Sequence, residues 1–259
     1  MKMVRALAVI AVLLALWLAG IYVGGAEHFI LPRPWDVAEV FYQQYDLLAE
    51  HAVPTLIEIV LGLLLGAMLG VGCALAMAYH QPTRAWLQPA LIASQAVPVF
   101  AIAPLLVLWL GYGLASKIAM ATLVIFFPIT VALYDGLRRI EPGWLDLAQA
   151  MGASRGAILR QIRLPAALPA LATGLRLAAA VAPIAAIIGE WVGASAGLGY
   201  LMMQALARAN TELGFAALLA LIALAVALYA LVNLATHRLL PWHRENLDAP
   251  FTPDERIAP

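Results

Sequence analysis

Six apolar runs, approximately 6–24, 54–79, 86–110, 115–137, 167–189 and 214–236, are each close to or beyond the length needed to cross a hydrocarbon core, about 20 residues. That repetition constrains the fold more than any other feature. Inside a bilayer the backbone of each run has no water to bond with, so it must satisfy itself, and in a chain of six such runs it does so as helices. The expected class is therefore all-α, a polytopic membrane protein of about six transmembrane helices. A hydrophobic share of 64% against 12% charged residues agrees, since a globular chain carries about half and a quarter. The first run, Ala6 to Val23, is longer than the apolar stretch of a signal peptide, about 7–15 residues, and is read as a retained anchor.

The formal net charge is zero, which argues against a nucleic-acid partner. Position matters more than total. With the N-terminus cytoplasmic, one side collects eleven basic residues: Lys2, Arg5, Arg84, Arg138, Arg139, Arg155, Arg160, Arg163, Arg238, Arg244 and Arg256. The other side holds only Arg33, Lys117 and Arg208, and Arg176 is close enough to a cytoplasmic helix end to snorkel. This bias predicts a multi-pass inner-membrane protein with both termini inside. It divides the chain into an N-terminal anchor (1–25), an external segment (26–53), a core (54–240) with a cytoplasmic loop (138–166), and a cytoplasmic tail (241–259).

The loop encodes more than charge. Trp144 to Met151 reads as a short helix, Gly152 as a break, and Ser154 as an N-cap for Ala157 to Ile162, with Leu164-Pro165 as the stop. Ala153, Ala157, Ile158 and Ile162 recur at helical spacing with arginines between them, the pattern of an amphipathic helix pressed on a protein partner, or else on anionic lipid.

This segment resembles the cytoplasmic signature loop of the membrane subunits of bacterial ABC importers, whose pattern is Glu-Ala-Ala, three residues, Gly, nine residues, Ile, any residue, Leu-Pro. Gly152, Ile162, Leu164 and Pro165 stand at the required spacing, and the opening triplet falls on Asp146, Leu147 and Ala148, with a shorter acid for Glu and Leu for the first Ala. Ile102 to Gly113 and Gly189 to Leu201 (GEWVGASAGLGYL) extend the likeness to permeases of the nitrate, sulfonate and taurine group. Ser94-Gln95 before Val97-Pro98, with the Asp135-Gly136-Leu137-Arg138-Arg139 run, brings it nearest to permeases for the thiamine precursor hydroxymethylpyrimidine. The resemblance implies a type I importer permease working as a homodimer with two cytoplasmic ATP-binding subunits and an extracytoplasmic solute-binding protein. It also implies that the loop docks on the ATPase through Asp146, Ala148, Gly152, Ala157, Ile158, Ile162, Leu164 and Pro165. The chain carries no phosphate-binding Gly-x-x-x-x-Gly-Lys-Ser/Thr loop, so ATP hydrolysis is expected on a separate subunit.

Within the runs, Gly62, Gly66 and Gly70 share one helix face and suit close helix packing. Pro98 lies mid-run, and Gln95 offers the most central amide. Together with Glu58 and Glu190, read as lining an outer vestibule, they form the candidate solute pathway. The five histidines show no metal-ligand spacing, and no catalytic constellation or cofactor motif is present. A stand-alone secondary transporter is the alternative class, but the internal repeats and central charges expected of one are missing. Sulfonate, taurine or nitrate are the alternative solutes.

Overall fold

The computed structural model describes residues 2–25, 27 and 29–242, so most of the tail assigned to 241–259 lies outside the described residues. Among these residues the regular structure is all helical. In chain order the helices are α1 (Lys2–Tyr22), α2 (Pro34–Gln43), α3 (Tyr45–Tyr79), α4 (Gln81–Ala96), α5 (Val99–Leu110), α6 (Leu114–Arg138), α7 (Pro142–Ala150) and α8 (Arg155–Ile158). A π turn (Leu159–Arg163) then leads into α9 (Leu164–Gly193), followed by α10 (Leu198–Ala207) and α11 (Thr211–Leu239).

Among the described residues the spans number four or five where about six were expected. Four helical runs, Tyr45–Tyr79, Leu114–Arg138, Arg155–Gly193 and Thr211–Leu239, are long and apolar enough to cross a membrane, and α4 with α5 make a fifth only as a pair bent by 101°. The described apolar part of the first run, Leu7–Tyr22, is shorter. Pro98 contributes to the bend without deciding it alone, since α6 and α9 continue through Pro128 and Pro183. Pro98 lacks an N–H, and its ring drives the preceding residue out of helical geometry. Val97 accordingly takes φ −81°, ψ 120°, and Pro98 φ −60°, ψ 127°.

Lipid tails are as apolar as leucine, so helices associate in a bilayer through close van der Waals packing, which small residues permit. The core of α3, α6 and α9 follows that rule, because Ala178, Ala182, Ala185 and Ala186 of α9 are fully buried against Ile59, Ile125 and Ile129. The glycine stripe of α3 faces α6 within the same chain. A Cβ on Gly66 would lie 2.7 Å from Ile125 Cγ2, and one on Gly70 would lie 2.8 Å from the Phe126 carbonyl oxygen. Backbone cannot yield as a side chain does. Gly70→Val is therefore expected to destabilise the protein by about 1–3 kcal/mol, lowering the melting temperature in detergent by roughly 2–10 °C. An unchanged melting temperature would mean that α3 and α6 do not pack this closely.

Two small assemblies close the ends of α3, which at about 1.5 Å per residue is roughly 50 Å long. At its start, Val37 of α2 packs with Leu48 of α3, Leu198 and Leu201 of α10, and Leu221 of α11. Trp17 Nε1 donates to the Pro32 carbonyl at 3.0 Å, tying α1 to the segment before α2. At the other end, α7 and α8 lie beside Tyr79 and Gln81.

Candidate functional site

A helix start leaves its first backbone N–H groups without intrahelical partners, and burying them requires acceptors from elsewhere. At the start of α10 these acceptors come from α3 and α9. The Gly197 N–H donates to His51 Nδ1 (3.1 Å), Leu198 to Thr55 Oγ1 (2.8 Å), and Gly199 and Tyr200 to Glu190 Oε2 (2.5 and 3.3 Å). Thr55 Oγ1 in turn donates to Glu190 Oε1 at 2.6 Å, joining the two acceptor sets. A carboxylate facing a helix N-terminus also meets the positive end of the helix dipole. The glycines of the GEWVGASAGLGYL run are then explained by space: a Cβ on Gly197, whose φ is +115°, would collide with the Glu190 carboxylate, and one on Gly199 would lie 2.8 Å from Glu190 Oε2.

Glu58 and Glu190, expected to line an outer vestibule, are placed differently from each other: Glu190 borders a cavity of about 290 Å³ with Tyr112, Trp191 and Gln204, and Glu58 does not. Both side chains are turned into the protein, each residue being only 1% exposed. Glu190 anchors α10. Glu58 faces α6, where Lys117 Nζ lies 3.8 Å from Glu58 Oε1, and Lys117, expected among the external charges, is itself buried. The sequence reading missed His51, Thr55 and Lys117. A signal was available: His51, Thr55 and Glu58 recur at i, i+4 and i+7, a polar face on an otherwise apolar helix that must turn away from lipid.

The remaining pathway residues lie at the helix break. Gln95 and Pro98 are both exposed, and Gln95 Nε2 approaches Ser94 Oγ at 3.4 Å. A cavity of about 140 Å³ beside them is lined by Gln95, Val97, Ile102, Met120 and Phe126. A wider concavity of about 790 Å³ lies along α4 between Gln81 and Ala93, past Arg84, Gln88 and Ile92. Backbone that leaves helical geometry at membrane depth must face protein or water, because it cannot face lipid.

In the 138–166 loop the turn forms as its sequence suggests. Gly152 has φ +78°, its N–H donates to the Gln149 carbonyl (2.9 Å), and Ala153 N–H reaches back to the Ala148 carbonyl (2.9 Å). That is the glycine-capped helix end with paired 5→2 and 6→1 bonds. Ser154 Oγ accepts from Ala157 N–H at 3.2 Å, as an N-cap should.

Two details of the loop differ from expectation. Leu164-Pro165 does not stop the helix: Leu164 N–H donates to the Leu159 carbonyl, an i→i+5 bond, and Arg155 to Gly193 is one continuous run of 39 residues. A π turn is a known way to pass an irregularity through a helix. Nor does the second short helix present its apolar residues outward, since Ile158 is buried and Ala157, Ile162 and Leu164 are half-buried, with Pro165 exposed. The exposed apolar stripe is on α7 and its cap, where Trp144, Leu147 and Met151 are 61%, 56% and 79% exposed at i, i+3 and i+7. Asp146 lies exposed beside it, and Ala148 faces inward.

Residues 58–244 match the family model described as the binding-protein-dependent transport system inner membrane component. The chain belongs to that family. A probable ABC transporter permease protein from Haemophilus influenzae is 48% identical over 239 residues, covering 92% of this permease and 98% of the relative. The riboflavin transport system permease protein RibX of Chloroflexus aurantiacus is 37% identical (89% and 87% covered), and the formylaminopyrimidine transport permease protein ThiX of Halalkalibacterium halodurans is 35% identical (85% and 88%). Among solved structures, an inward-facing MetNI methionine ABC transporter aligns with TM-score 0.65 at 22% identity, covering 78% of this permease and 99% of that chain, a likeness of fold. The permease is thus an ABC importer membrane subunit and a multi-pass inner-membrane protein.

Proposed function

We propose that this permease, as two copies with two ATP-binding subunits and an external solute-binding protein, moves a small pyrimidine-type heterocycle inward past the break at Val97-Pro98. The observation that carries this reading is the break itself: a 101° bend in an apolar span, with an exposed amide at Gln95 that borders a cavity of about 140 Å³. Gln95 both donates and accepts, which matches the alternating edge of a nitrogen heterocycle better than the all-acceptor surface of a sulfonate. The relative named for formylaminopyrimidine supports this class. So does the relative named for riboflavin, whose ring system contains a pyrimidine-dione edge.

Basic-residue asymmetry orients the permease with its termini and the 138–166 loop in the cytoplasm, where ATP is available. The loop then transmits ATP-driven closure of the ATPase pair to the spans, as a rigid element held in a moving partner. Trp144, Leu147 and Met151 supply the docking contact, with Asp146 at its rim and the capped turn at Gly152 fixing the angle. The continuous run from Arg155 through Leu164 and Pro165 carries the motion to Glu190, and through it to α10.

The test is uptake of labelled hydroxymethylpyrimidine, formylaminopyrimidine, riboflavin and taurine by cells expressing the complete transporter. Pyrimidine or flavin uptake should exceed that of taurine, and Gln95→Ala should reduce it about three- to tenfold, the worth of one hydrogen bond. Taurine uptake alone, or full pyrimidine uptake by Gln95→Ala, would refute the assignment.

A further inference from the structure

We propose that the cavity between α7, the α8–π-turn segment and the adjoining ends of α3 and α4 is a binding site for a phosphate group. Its volume is about 240 Å³, and Arg155, Arg163, Gln81, Gln149 and Tyr79 line it with apolar residues from the same helices. Every polar side chain in that lining can donate a hydrogen bond, and no carboxylate contributes to it. Among the described residues neither guanidinium has a side-chain hydrogen-bond or ion-pair partner. Arg155 is exposed and Arg163 half-buried, so two unpaired positive charges line one solvent-accessible cavity, and an anion held between them would relieve their mutual repulsion.

The helix geometry that brings them together is not accidental to the chain. In a plain α-helix, residues eight apart are rotated by about 80°, which would point Arg155 and Arg163 in different directions. The π turn at Leu159–Arg163 takes up one extra residue between them. It therefore restores the equivalent of a seven-residue spacing, about 20° from eclipsed, and both arginines reach the same cavity. Arginine forks match the oxygens of a phosphate bidentately, so two on one rigid helix make a pre-organised receptor. Under the cytoplasmic placement of this loop proposed above, the cavity opens at the leaflet where anionic headgroups concentrate. A lipid headgroup and a soluble phosphate compound present the same chemistry to it.

Binding is measured on the purified full-length permease in detergent, which depends on neither its orientation nor its solute. The melting temperature is followed while phosphatidylglycerol or phosphatidylcholine is titrated into the micelles and, separately, inorganic phosphate or chloride at matched ionic strength. Phosphatidylglycerol should raise the melting temperature, and Arg155→Gln/Arg163→Gln should need about 30-fold more of it for half the effect. Arg160→Gln, whose exposed side chain lies outside the lining, should titrate as the unaltered chain does. A response to inorganic phosphate that the double variant loses assigns a soluble ligand, and a response to the lipid alone assigns a headgroup. If the glutamine variant does not fold, Arg155→Lys/Arg163→Lys keeps both charges and should still bind several-fold more weakly. The proposal fails if phosphatidylglycerol and phosphate act no differently from phosphatidylcholine and chloride, or if Arg160→Gln weakens binding as much as the double variant.

Discussion

Glu190→Ala is expected to destabilise the permease by about 3–5 kcal/mol, lowering its melting temperature in detergent by roughly 10 °C. The figure follows from the groups left behind. The N–H groups of Gly199 and Tyr200 and the hydroxyl of Thr55 all donate to this one carboxylate, and a buried donor left unsatisfied costs about 1–3 kcal/mol. Thr55 retains an alternative in the His51 carbonyl, 3.2 Å away, so its share is the smallest. Glu190→Gln keeps one acceptor oxygen and should lose about half as much. Gly197→Ala attacks the same contact from the opposite side, because its Cβ would collide with the carboxylate. Combining it with Glu190→Ala removes the collision, so the double variant should be more stable than the sum of the single effects implies. A Glu190→Ala protein melting within about 2 °C of the unaltered chain, with strictly additive behaviour in the double variant, would show that α10 is not held by this carboxylate.

The parts of the fold legible in the sequence are those fixed by local chemistry. Long apolar runs, the glycine stripe of α3, the left-handed turn at Gly152 and the cap at Ser154 each depend on residues within a few positions of one another. The break at Val97-Pro98 was less legible because proline alone does not decide it: Pro128 and Pro183 also lie within helices, and α6 and α9 continue through them. The role of Glu190 was hidden for a different reason. Its acceptor partnership joins residues 135 positions apart, and a lone acid at the end of an apolar run looks the same whether it meets water or a helix N-terminus. The loop shows a third kind of failure. A 3.6-residue period sets Ile162 outward, but Ile162 lies inside the π turn, whose extra residue shifts the facing of the residues from Leu159 onward by up to about 100°; Ile158, just before the turn, is buried against the protein. The exposed apolar stripe of the loop is on α7 and its cap instead, at Trp144, Leu147 and Met151.

Gly152→Val should produce the largest functional loss of any single change in the loop. No atom lies within 4 Å of the position where a Cβ would stand, so the substitution clashes with nothing. The penalty is entirely conformational, because φ +78° is a region that β-branched residues enter only at a cost of about 1–3 kcal/mol. Relaxing that strain breaks the paired bonds from Gly152 and Ala153 to the end of α7 and swings the Trp144, Leu147 and Met151 stripe away from its set angle. The spans are untouched, and the permease should reach the membrane at normal level. Gly152→Asn is the matched control, since asparagine tolerates the left-handed conformation.

The decisive measurement is ATP hydrolysis by the complex reconstituted from this permease, its ATP-binding subunits and the solute-loaded binding protein. Binding-protein-stimulated hydrolysis should be lost in Gly152→Val, with little ATP-binding subunit recovered on purification, and largely retained in Gly152→Asn. Full recovery of the ATP-binding subunits and normal stimulation in Gly152→Val would contradict the claim that residues 138–166 couple hydrolysis to the membrane spans.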